Sequence, residues 1–144
     1  MKLEKQICSL EHAKKLKELG VKQESEWIWA IMNIGAGQSA YIYNTVGDKG
    51  YHRDVEYSAF TVAELGELLP FKIYSCTLPN SFELKINKLE NKWEVYYLAY
   101  ESRELNNTDL CPTISAETEA DALAKMLIYL LENKLLDKPK LKED

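Results

Sequence analysis

Residues 81–100, SFELKINKLENKWEVYYLAY, limit the possible folds more than any other stretch. Phe82, Leu84 and Ile86 alternate with Glu83, Lys85 and Asn87, and Glu90-Asn91-Lys92 makes a short polar connection into WEVYYLAY. Alternation with a period of two on either side of a tight turn specifies an antiparallel hairpin, one face wet and the other packed. The packed face needs a cover, and helices before and after it can supply one.

The later helix starts near Ser115 or Thr118 and runs to about 133. Its acidic first turn, with Glu117, Glu119 and Asp121, complements the helix dipole, and Ala120, Leu123, Ala124, Leu127, Leu130 and Leu131 form its apolar stripe. The earlier helix spans 10–19: Ser9 caps it, Leu10, Ala13, Leu16 and Leu19 recur at helical spacing, and Gly20-Val21 stops it with a left-handed residue and an apolar clasp. Between them, Thr61-Val62-Ala63-Glu64 is a capping box that opens a short helix over 62–69, and Pro70 ends it.

WIWAIMNI (27–34) is β-branched and aromatic and suits a strand buried on both sides, SAYIYNTV (39–46) reads as the next, and FKIYSC as a third before the hairpin. DKGYHRDVEYSAF and ESRELNNTDLCPTIS read as loops, and residues 137–144 as a frayed tail. The predicted order is α-β-β-α-β-β-β-α over residues 1–136: one α+β domain with an antiparallel or mixed sheet built from hairpins, covered by N-terminal, central short and C-terminal helices.

Gly35-Ala36-Gly37-Gln38-Ser39-Ala40 spells the glycine pattern of a dinucleotide loop. That chemistry needs the glycines to open a helix whose N-terminal amides face the pyrophosphate. Here Tyr41, Ile42, Tyr43, Thr45 and Val46 follow, which favour extended structure. The expectation is a turn between antiparallel strands, with Gly35 or Gly37 at positive φ, and no cofactor.

The chain is 46% hydrophobic and 28% charged, without an apolar run long enough to span a bilayer or form a secretory leader. Cys8, Cys76 and Cys111 are odd in number and widely spaced, which suggests neither a disulfide framework nor a metal site. These features place the chain in the cytoplasm. A net charge of −5 weighs against generic attraction to nucleic acid.

Three functional readings follow. The first is a non-enzymatic module that binds a protein partner through exposed tyrosines of the sheet, with Tyr41, Tyr43, Tyr96 and Tyr100 as candidates among nine Tyr and three Trp. The second is a small enzyme centred on Tyr51-His52-Arg53-Asp54, where His52 and Asp54 supply a titratable base and a carboxylate, with Cys76 or Cys111 as a nucleophile. The third is a nucleic-acid accessory protein using Lys14, Lys15, Lys17 and Lys22, since residues 1–22 hold six lysines against three glutamates. His12, in that lysine-bearing helix, reads as a surface residue.

Three stretches, SLEHAKKLKELGVKQES (9–25), YSAFTVAELGELLP (57–70) and EADALAKMLIYLLENKL (119–135), together resemble a set of short proteins of phages and prophages of gut bacteria. The resemblance covers about a third of the chain. It implies a small cytoplasmic protein of a mobile element and carries no activity, cofactor or catalytic residue with it.

Overall fold

Residues 81–99 fold as a hairpin, β5 (Ser81–Lys88) paired antiparallel with β6 (Trp93–Ala99), and the Leu89 N–H donates to the Lys92 carbonyl at 2.8 Å to close the turn. The computed structural model describes residues 2–34, 37–45, 55–74, 81–99 and 112–136. Preceding the hairpin are a 3-10 turn (Leu3–Lys5), α1 (Leu10–Glu18), β1 (Trp27–Ile34), β2 (Gly37–Asn44), β3 (Val55–Ser58), α2 (Val62–Leu68) and β4 (Lys72–Tyr74). Following it are β7 (Ile114–Ala116) and α3 (Glu119–Glu132). The expected tail, 137–144, lies outside the described residues.

The strands form two antiparallel sheets rather than one, in the orders β2-β1-β3 and β4-β5-β6-β7. The α+β class therefore stands, with its sheet divided. Two strands occur where loops were expected. In β3, Tyr57 sits opposite Trp29 and Ser58 opposite Ile28, while the Ser58 N–H donates to Gln23 Oε1 at 2.8 Å. In β7, Ile114 lies opposite Val95 and Ala116 opposite Trp93. Segments of three or four residues carry too little alternation to reveal themselves; cross-strand partners fix them instead.

All three helices begin as the sequence implies. Ser9, Thr61 and Thr118 are the N-caps, each with its hydroxyl accepting from the amide three residues on, and Thr61 and Glu64 complete the capping box. Gly20, at φ 89°, ends α1 as the Gly20 N–H donates to Lys17 O and the Val21 N–H to Leu16 O, both at 3.0 Å. Gly37 does not adopt positive φ, and Gly35 lies outside the described residues.

α3 is the centre of the core. Leu123, Met126, Leu127 and Leu130 are fully or almost fully buried against Ala13 and Leu16 of α1, Leu65 of α2, and Phe82, Val95 and Tyr97 of the four-stranded sheet. Each such aliphatic side chain contributes roughly 1.5–3 kcal/mol through removal from water. Tyr97 is buried without cost to its hydroxyl, which donates to the Pro70 carbonyl at 2.7 Å. Trp29 and Tyr57 pack the three-stranded sheet onto the same core, and Trp29 Nε1–H donates to Cys8 O at 2.9 Å. On β1, Ile28 and Ala30 are buried on one face and Ile31 on the other, as its apolar sequence implies. No helix among the described residues is long and apolar enough to cross a membrane.

Candidate functional site

Two features stand out, and the first is a joint between α1 and α3. Asp121 is the third residue of α3, where an acid ordinarily serves its own helix terminus. Its Oδ1 instead accepts the Ser9 backbone N–H at 2.7 Å and lies 2.8 Å from His12 Nδ1. Ser9 Oγ is 2.9 Å from the same ring nitrogen. Asp121 thus supplies from α3 the bond to the α1 N-cap amide that His12, third in α1, does not supply. Burial pushes the Asp121 carboxyl up, but the hydrogen bonds from His12 and the Ser9 amide outweigh it and hold the group below its ordinary value.

Because an ionised carboxylate only accepts, the proton on this edge of the imidazole sits on Nδ1, and Nε2 is the acceptor of the neutral ring. Among the described residues Nε2 has no partner. Ser, His and Asp meet here without forming a catalytic relay: hydroxyl and carboxylate share one ring nitrogen, whereas a relay needs one on each. His12 is therefore a structural residue with 16% of its side chain exposed, not the surface residue expected. Cys8, next to Ser9, is no nucleophile either, since burial pushes its thiol up to about 12.

Beside the joint runs a groove of about 600 Å³ lined by Leu10, Glu11, His12, Lys14, Lys15 and Glu18 of α1 and by Lys125 and Ile128 of α3. No group of three or more His, Cys, Asp or Glu side chains among the described residues is placed to hold a metal ion.

The second feature is the edge of the three-stranded sheet. β2 reads GQSAYIYN, eight residues without a charge or a proline, paired with β1 through eight consecutive registers with no bulge. Residues 37–40 are exposed, and no other described strand pairs with β2. Tyr41 and Tyr43 stand side by side on it, ring centroids 6.1 Å apart, both half-buried. From Gly37 onward the glycine pattern thus lies on a strand, where a phosphate-binding helix would have to begin.

The remaining candidates are dispersed. Tyr96 is half-buried on the outer face of the four-stranded sheet, opposite Lys85. His52, Asp54, Tyr100, Cys76 and Cys111 lie outside the described residues. Of the four lysines, Lys14 and Lys17 approach the same Tyr57 ring. Lys14 and Lys15 border the groove, Lys15 Nζ being 3.6 Å from Glu18. Lys17 donates to the Glu56 carbonyl at 3.1 Å and stands 5.1 Å from the Tyr57 ring centroid, while Lys22 pairs with Glu24 at 2.8 Å. Comparison with protein-family models, curated proteins and solved structures finds no match, which leaves the site to be read from its own geometry.

Proposed function

We propose that the chain is a non-enzymatic, cytoplasmic protein-binding module of a phage-type element, and that β2 is its docking element, receiving an extended segment of a partner as a further strand. The observation that carries this reading is an asymmetry in how the sheets end. An unpaired strand edge invites pairing with another chain, and proteins blunt such edges with lysine, proline, bulges or short length. Three of the four edges are blunted. β3 is four residues long and its Glu56 carbonyl is taken by Lys17; β4 has three residues, one of them Lys72; β7 has three, and Lys125 donates to its Ser115 carbonyl at 3.2 Å. Among the described residues, the exposed part of β2, residues 37–40, has none of these protections.

Strand addition draws affinity from main-chain hydrogen bonds and specificity from side chains on alternate positions. Tyr41 and Tyr43 occupy such positions, and tyrosine adds contact area at little cost in conformational entropy. The test is quantitative cross-linking and affinity capture from host lysate with the wild-type chain and with Ala40→Lys. That substitution adds a charge to the exposed part of the edge without touching the core. Loss of a specific captured protein in the folded variant supports the reading; equal capture of the same protein by both sinks it.

A further inference from the structure

The outer edge of β2 can be read group by group from its pairing with β1. The Thr45 N–H donates to Glu26 O at 2.9 Å, and the ladder continues with Tyr43 opposite Ile28, Tyr41 opposite Ala30 and Ser39 opposite Met32. Odd-numbered residues of β2 therefore turn their N–H and C=O toward β1, and Gln38, Ala40 and Ile42 turn theirs outward. Those outward groups have no partner among the described residues. Resting on the reading of β2 as a strand-adding edge, we propose that its partner in the free protein is β2 of a second copy, paired antiparallel across a two-fold axis at Ala40.

Symmetry selects the register. In an antiparallel pair, outward-facing residues of one strand meet outward-facing residues of the other, and each such pair exchanges both of its N–H···O=C bonds. A two-fold axis makes the contact self-complementary. Gln38, Ala40 and Ile42 all find mates among one another only when Ala40 faces its own counterpart, with Gln38 opposite the second copy's Ile42.

The side chains fit that register. Gly37, Ser39, Tyr41 and Tyr43 share one face of β2, the small residues at one end and the aromatic ones at the other. Antiparallel pairing lays the small half of one copy against the aromatic half of its mate: Ser39 beside the second copy's Tyr41, and Gly37 beside the second copy's Tyr43. A Cβ at Gly37 would meet nothing within 4 Å, so a ring has open space there, and an aromatic ring across from an edge glycine is a stabilising arrangement. GQSAYIYN carries no charge, so no residue is repelled by its counterpart near the axis. The product is a continuous six-stranded sheet, twice the three strands of one copy. Another protein's strand competes for the same outward groups, so the pair must part before such a strand can dock.

Sedimentation of the full chain over a concentration series reads the association. The wild type should form a dimer with a Kd of about 100 µM or tighter. Ala40→Lys and Ala40→Glu each set like charges face to face at the axis and should each weaken the dimer about tenfold or more, with the fold kept because residue 40 is exposed. An equimolar mixture of the two variants should restore the affinity to within about threefold of wild type, since a mixed pair sets lysine opposite glutamate. A wild type still monomeric at about 1 mM, a dimer that neither variant weakens, or a mixture no more associated than its components would overturn the proposal. Docking of another protein is read separately, by capture. A protein captured by a monomeric wild type and lost with Ala40→Lys preserves docking and removes self-pairing. Dimerisation of the wild type with equal capture by both chains does the opposite.

Discussion

The two sheets share one core but meet solvent differently. The four-stranded sheet carries α3 on its inner face and a charged ladder on its outer face, where Glu83 lies 3.8 Å from Lys72 and 3.5 Å from Lys85, and both of its edges are three residues long. Leu98, across from Glu83, and Tyr74, 73% exposed, are exposed apolar groups on that outer face. The three-stranded sheet is smaller, yet it ends in the longest and least protected edge among the described strands. The larger share of core burial and the longest exposed edge thus fall to different parts of one fold.

The largest expected effect lies under the four-stranded sheet. Leu127→Ala removes a fully buried side chain at the centre of the core and should cost about 2–5 kcal/mol in urea unfolding, whereas Tyr41→Ala on β2 should cost about 1 kcal/mol or less. Similar losses for both would erase the distinction between the sheets.

The helix joint comes next. Asp121→Ala should cost about 1–3 kcal/mol, because it leaves the Ser9 amide and His12 without their shared acceptor. The folded carboxyl holds its proton less tightly than an unfolded aspartate does. Its contribution is therefore complete above about pH 4 and is lost as pH falls through the lower folded value. The wild type should accordingly lose stability as pH falls below about 4, whereas Asp121→Asn, which has no carboxyl there to titrate, should show a flatter curve over the same range. A wild-type curve that is equally flat would contradict the assignment.

The smallest stability effects are at the edges themselves. Ala40→Lys should leave stability within about 0.5 kcal/mol while suppressing strand addition, including any self-association seen by sedimentation. Lys72→Val performs the reverse operation on β4. It should cost less than about 1 kcal/mol, since the pair with Glu83 is partly exposed, and should increase association. If neither change alters association, edge protection does not control what these sheets bind.

Much of this arrangement can be read along the chain. The β5–β6 hairpin follows from alternation, and the helices from Ser9, Gly20, Thr61, Glu64 and Thr118, because each of those signals acts within four or five residues. The division into two sheets and the short strands β3 and β7 depend on pairings such as Trp29 with Tyr57 and Val95 with Ile114, which no local pattern encodes. The joint was hidden for the same reason. Ser9 and Asp121 each look like ordinary first-turn residues, and their hydrogen bond spans 112 positions. Of the binding candidates, Tyr41 and Tyr43 emerge on the unprotected edge, but the missing charge that makes that edge distinctive becomes meaningful only once β2 is known to lie outermost.

That 112-residue span also has a consequence for synthesis. A ribosome adding about 5–20 residues per second delivers Asp121 roughly 6–22 s after Ser9. For that interval the first helix of the nascent chain lacks the acceptor for its N-cap amide and the partner of its histidine. Completion of α1 is thus a late event, coupled to the arrival of α3, and a translational pause before residue 121 would prolong the period in which the amino-terminal segment is open to chaperones or proteases.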